Sequence, residues 1–137
     1  MFQDQNLKQG VCYFYDVIEH VENPSRCLKE IKYVLKRFGK VHIGTPNGLH
    51  YRKFQRVLRN KPLVLSSLEH ISAWSHIEFE NLAHYVGLKV VKKYYTILPS
   101  TEKTDGQKHI LIDKLMFKIL PSSVSGRNMI FTLQKVV

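Results

Sequence analysis

The sequence is poor in the features that mark several classes of protein. It holds two cysteines, Cys12 and Cys27, among 137 residues. Two cysteines in no CxxC spacing make neither a disulfide framework nor a thiolate metal site, and a reducing, cytoplasmic setting is expected. No apolar run approaches the ~20 residues of a membrane-spanning helix, so no span is expected. The residues after Met1 carry no basic or apolar signal region, so no secretory leader is expected either. No two of the seven glycines stand as GxG. Carboxylates are scarce: 11 Asp and Glu face 21 Lys and Arg, a formal charge of +10. That excess speeds encounters with anions without selecting one. No helix-turn-helix, RNA-recognition or zinc signature accompanies it, so nucleic acid is not the expected partner.

What is present reads as one α/β domain over residues 1–137. Hydrophobic residues make up 44% and charged residues 23%, ordinary values for a folded chain. Val11–Tyr15 is short, apolar and aromatic, and reads as a buried strand. Asn23 before Pro24 is a helix start, with an N-cap oxygen and a proline that lacks no needed N–H. Cys27, Leu28, Ile31, Val34, Leu35 and Phe38 then recur at helical spacing, and Gly39 is the expected left-handed terminator. Lys40–Thr45 reads as a second strand ended by Pro46-Asn47-Gly48. A strand, a helix and a strand in tight succession predict a parallel pair.

Further along, Tyr51 to Lys61 predicts a basic helix with Arg52, Arg56 and Arg59 on one face. Phe54, Val57 and Leu58 turn away from it, and Pro62 ends it. Ser75 and Glu78 form a capping-box pattern before a helix whose apolar side is Ile77, Leu82, Tyr85 and Val86, closed by Gly87. Leu88–Ile97 predicts a third strand. Ser100 to Lys108 reads as a loop, and His109–Leu120 fits helix or strand. Asn128–Val137 predicts a last strand, antiparallel to the third.

Several of these segments together carry a resemblance. Asp16-Val-Ile-Glu-His-Val, Asn23-Pro24, Leu35-Lys36 with Gly39, and His42-Ile-Gly-Thr-Pro-Asn47 follow one another at fixed intervals. Ala73-Trp74-Ser75 precedes a capped helix. The set resembles the carboxy-terminal half of class I S-adenosylmethionine-dependent methyltransferases, in particular the small-molecule group that includes the ubiquinone-biosynthesis O-methyltransferases. That family has an "EHV" turn after its fourth strand, "LKPGG" after a Pro-started helix, "TPN" after its fifth strand, and "W(T/S)xxEL". Here "PGG" is Arg37-Phe38-Gly39. The family's amino-terminal half, with its glycine-rich loop, has no counterpart.

The resemblance implies a partial Rossmann-like sheet, strands four to seven, mixed, with the last strand antiparallel. It implies S-adenosylmethionine as cofactor, with Phe14, Tyr15 and Asp16 near its methionine end. Methyl transfer would go to an anionic or small-molecule acceptor that the residues do not name. Glu19 and His20 follow the first strand, at the end where open α/β sheets bind ligands. His20 is the candidate general base, since a histidine's ordinary pKa of about 6.5 suits proton abstraction near neutrality. Glu19 is its catalytic companion, and packing of the turn is the competing role for both. Asn47, Arg52 and Arg56 are candidates for the substrate side. Asp16, Glu19 and His20 also resemble an ExxEH motif that some quinone and small-RNA 3′-end methyltransferases associate with a divalent metal. With aspartate first and no fourth ligand, no metal site is assigned. Losing the first half would leave Val11–Tyr15 a bare edge, so a homo-oligomer, or a second chain supplying the missing half, is expected. The alternative is a non-catalytic subunit that pairs through this edge.

Overall fold

The computed structural model describes residues 9–61, 70–97 and 107–136, the last segment's side chains from residue 111. Four strands form one sheet in the order β1-β2-β4-β3. They are β1 (Gln9–Tyr15), β2 (Leu35–Pro46), β3 (Leu88–Thr96) and β4 (Asn128–Lys135). β1 and β2 are parallel, and β4 runs antiparallel between β2 and β3. The helices are α1 (Pro24–Val34), α2 (Tyr51–Leu58), α3 (His76–Tyr85), α4 (Gln107–Ile119) and the short α5 (Ser122–Ser125). The mixed sheet with an antiparallel last strand is the expected architecture.

Local chemistry sets most boundaries. The Asn23 side chain accepts from the Arg26 N–H at 2.9 Å, and Pro24 occupies the first turn. Ser75 and Glu78 close a complete capping box at α3, and Gly87 leaves that helix with φ 76°. The end of α1 departs from expectation. The helix stops at Val34, and Leu35 takes extended geometry as the first residue of β2. Leu35 is fully buried and its carbonyl accepts from Lys135 Nζ at 2.9 Å, so the sheet claims it before another turn can form. The left-handed residue is Phe38, φ 60°, and Gly39 is needed for a different reason. A Cβ there would stand 2.8 Å from the Lys36 carbonyl. Val34 and Phe38 are consequently exposed.

Both main helices cover the same side of the sheet. Leu28 and Ile31 of α1, Phe79 and Ala83 of α3, and Val86 at the α3 C-cap pack with Val41, Ile43, Leu88, Met129, Phe131 and Leu133. The buried side of α3 with its C-cap is thus Phe79–Ala83–Val86, while Ile77 and Tyr85, expected inside, are exposed. Strand alternation turns Val11, Tyr13 and Tyr15 to the opposite side, with Lys40, His42 and Gly44 as register partners. The expectation of a buried first strand is corrected here: β1 lies at the sheet margin and Tyr13 is 66% exposed. Its ring stacks on His42 at 5.0 Å.

Three segments are adjusted. The basic helix ends at Leu58 rather than Lys61, with Pro62 outside the described residues, and the stretch around His109–Leu120 is helical as α4. The expected loop over Ser100–Lys108 lies largely outside the described residues, though Gln107 and Lys108 already belong to α4.

Candidate active site

The carboxyl ends of the parallel strands gather the candidate residues. At the end of β1, Asp16 takes φ 52°, a conformation that aspartate tolerates better than most residues. Its N–H donates to the Gly44 carbonyl at 3.0 Å, which ties the turn to β2. Ile18 and Glu19 then enter the interior, and Glu19 is 1% exposed. Thr45 Oγ1 donates to Glu19 Oε2 at 3.2 Å, while Oε1 has no hydrogen-bond partner. Burial pushes the Glu19 carboxyl up, and the Asp16 charge adds to this. Hydrogen bonds from a backbone N–H and Thr45, and the nearby His70, work against it.

A segment distant in sequence completes the corner. The Glu19 carbonyl accepts from the Ile71 and Ser72 N–H groups at 2.9 and 3.2 Å. The Gly48 N–H donates to the Trp74 carbonyl at 2.7 Å, and a Cβ on Gly48 would stand 2.6 Å from that oxygen. The chain before α3 is thereby stitched between Glu19 and the end of β2. This brings His70 to His20 edge-on, with ring centroids 4.6 Å apart. Ligand atoms of Glu19, His20 and His70 all lie within 4.8 Å of one another. His70 is a member of the cluster that the sequence alone did not single out. The available signal was its place four residues before Trp74, in a segment that must return past the Glu19 turn to reach α3.

The other candidates separate. Phe14 is half-buried against the core, on the opposite side of β1 from Tyr15. The Tyr15 ring lies over Gly44, where an added Cβ would meet it at 2.3 Å. Tyr15 and Asp16 are exposed at the strand end. Asn47 is buried, and its amide donates to the Ser123 and Gly126 carbonyls at 2.9 and 2.8 Å while its oxygen accepts from Leu49 N–H. Arg52 binds Asp113 through Nε at 2.9 Å. Arg56 stays on the exposed face of α2. Trp74 packs edge-on against Phe79 at 6.0 Å, a core role.

A second polar centre adjoins this corner. Asp113 of α4 is fully buried. It accepts from Tyr51 Oη at 2.6 Å, from Arg52, and from Arg127 Nε. Beside it, burial pushes the His50 imidazole down to about 4, the Asp113 charge opposing that and three cations adding to it.

No protein-family model and no curated protein matches this chain. Solved structures do. A SAM-dependent methyltransferase from Archaeoglobus fulgidus superposes with a TM-score of 0.58 at 13% identity, over 94% of this chain and 60% of its own. One from Thermotoga maritima gives 0.60 at 16%, over 95% and 59%. A Haloferax volcanii methyltransferase, solved with a methyltransferase activator, gives 0.56 at 13%, over 95% and 55%. The chain has the fold of part of the SAM-dependent methyltransferases, and spans little more than half the length of these three.

Proposed function

We propose that this chain is the acceptor-side half of an S-adenosylmethionine-dependent methyltransferase, active when the rest of the sheet is supplied. The supporting observation is the Glu19–His20 turn held at the carboxyl edge of a β1-β2-β4-β3 sheet. The cofactor's sulfonium supplies an electrophilic methyl group. A sulfonium is a cation, and the exposed Asp16 carboxylate and Tyr15 ring suit one. Phe14 supports them from the core side. His20 would take the proton of an acceptor hydroxyl as the methyl–oxygen bond forms and the methyl–sulfur bond breaks, with S-adenosylhomocysteine leaving as the neutral thioether, and Glu19 would hold the turn. Arg56 faces an anionic part of the acceptor, while Asn47 and Arg52 frame that side through the α5–β4 corner and Asp113.

Among the described residues the margin and outer face of β1 are uncovered, which suits a covering chain. Either a second copy or a polypeptide with a glycine-rich βαβ half fits that role. The isolated chain is expected to bind S-adenosylhomocysteine weakly in calorimetry and to self-associate in analytical ultracentrifugation. A clean monomer at tens of micromolar, or micromolar cofactor binding, would contradict this reading. In the reconstituted enzyme, His20→Ala should lower turnover by roughly 10²–10⁴-fold with cofactor binding retained. Unchanged turnover would remove the base.

A second reading is favoured by the orphaned Glu19 Oε1. A buried carboxylate oxygen without a partner, near two imidazoles, fits a divalent cation held by Glu19, His20 and His70. Such a cation would lower the pKa of a bound acceptor hydroxyl. Calorimetric titration with Zn²⁺ or Mn²⁺, lost in Glu19→Gln and in His70→Ala, tests it. Equal binding by parent and variants would dismiss it.

A further inference from the structure

Helix α4 buries its one carboxylate and exposes apolar side chains, the reverse of the usual sense. Its inward arc carries Asp113, Met116 and Phe117, with the carboxylate fully buried. Its outward arc carries Leu111, Ile112, Leu115 and Ile119, all exposed, Leu111 by 70%. A helix facing only water hides leucine and shows aspartate. Lys114 and Lys118 are exposed beside the apolar strip. Helix α2 repeats the pattern: Phe54, Val57 and Leu58 are exposed, Leu58 by 86%, and Arg56, Arg59 and Lys61 flank them.

Charge is one-signed across both elements. Residues 48–61 contain no carboxylate, and the only one in 107–120 is Asp113, which is buried and engaged by Tyr51, Arg52 and Arg127. Those same contacts tie α4 to the start of α2, so both strips belong to one corner. That corner follows the carboxyl ends of β2 and β3, at the edge where Glu19 and His20 lie.

We infer that α2 and α4 form a docking surface for an anionic lipid bilayer. Leu111, Leu115, Ile119, Phe54 and Leu58 enter the headgroup–acyl boundary, and Lys114, Lys118, Arg59 and Lys61 meet the lipid phosphates. An apolar strip fringed by cations is the pattern of helices that lie in a membrane interface. α4, with 13 residues, is about 20 Å long, and no described helix is long and apolar enough to cross a membrane. A nucleic acid would use the cations but leave the leucines wet. Docking here would bring the edge holding His20 to the lipid surface. That consequence rests on the methyltransferase reading, whereas the docking does not.

Flotation of the purified chain with lipid vesicles tests the proposal, because aggregates sink and bound protein rises. The chain should float with phosphatidylcholine vesicles containing about one-third phosphatidylglycerol, and more weakly with phosphatidylcholine alone. Leu111→Ser/Leu115→Ser/Ile119→Ser should weaken binding at least roughly tenfold. Lys114→Glu/Lys118→Glu, a surface change that spares the fold, should weaken it by roughly fivefold per lysine. Lys89→Glu/Lys92→Glu, on β3 away from α4, should change it less than about twofold. Failure to float with anionic vesicles, or equal losses in the β3 control, overturns the proposal. So does flotation that survives the serine variant, whether the lysine reversal then abolishes a nucleic-acid gel shift or the serine variant turns a dimer into a monomer. None of these readouts involves methyl transfer.

Discussion

Asp113→Ala should be among the most damaging substitutions in the described part of the molecule. The carboxylate accepts from Tyr51 Oη at 2.6 Å, from Arg52 at 2.8–2.9 Å and from Arg127. Its removal leaves two guanidinium groups and a phenol facing a cavity. Breaking a fully buried pair costs roughly 3–5 kcal/mol. The guanidinium side chains here are 26% and 15% exposed, so solvent recovers part of that, and we expect about 2–3 kcal/mol. In a chain of this size the loss should lower Tm by roughly 10 °C. The exposed Lys93–Glu80 pair is the internal control, because Glu80→Ala should cost under about 1 kcal/mol. Acid offers an independent check. Burial raises the Asp113 carboxyl, but the hydrogen bonds from Tyr51 and Arg127 and the two guanidinium charges outweigh it and hold the value below the ordinary one. Its contribution is therefore full above the ordinary carboxylate value and is lost as pH falls through the depressed one. Urea unfolding followed by circular dichroism measures both. A loss no larger than that of Glu80→Ala would refute the assignment.

His50 should give the parent a second slope. Its folded value of about 4 lies under the ordinary 6.5, so the unfolded chain takes up a proton first. Stability should fall between pH 6.5 and 4, by up to about 3 kcal/mol, and His50→Leu should lose that slope. Glu19, raised by burial, contributes with the opposite sign, so the comparison of parent with variant isolates His50. The same slope in both would exclude the histidine. Ser75→Ala removes the α3 cap and should cost about 1 kcal/mol by urea unfolding, against a few tenths for Ser75→Gly. Equal costs would mean the cap is not closed in solution. Gly44→Ala must displace the Tyr15 ring and should weaken cofactor binding by the reconstituted enzyme more than it lowers Tm. Unchanged binding would take Tyr15 out of the cofactor site.

Local signals were legible in the sequence wherever the deciding partner lies within a few residues. Asn23-Pro24, Ser75 with Glu78, and Gly87 each mark their helix end in the structure. The strands followed from composition, and the mixed sheet with an antiparallel last strand was expected from the resemblance rather than from any single residue. What failed depends on distant partners. α1 ends early because Leu35 is held by Lys135, 100 residues away. β1 reads as buried because its composition suits a central strand, yet among the described residues no strand pairs with its outer side. Asn47 and Arg52 look available from a loop and a basic helix, and only the fold reveals the carbonyls and the carboxylate that engage them.

The same reasoning explains why α4 was ambiguous. Between His109 and Leu120 apolar residues occur on every side, so periodicity gives no preferred face. The face is chosen instead by one charged residue. Asp113 finds its partners at Tyr51, Arg52 and Arg127, 62, 61 and 14 positions away. Burying a carboxylate without them would cost far more than exposing several leucines to water. Once those bonds form, the helix has no freedom to turn its leucines inward. The exposed strip is thus fixed by the ion-pair network rather than left over from poor packing. Asp113→Ala should therefore loosen α4 and reduce vesicle binding together, while Lys114→Glu/Lys118→Glu should reduce vesicle binding alone. A variant of Asp113 that floats like the parent while α4 is unprotected from hydrogen exchange would separate the network from the surface and refute the link.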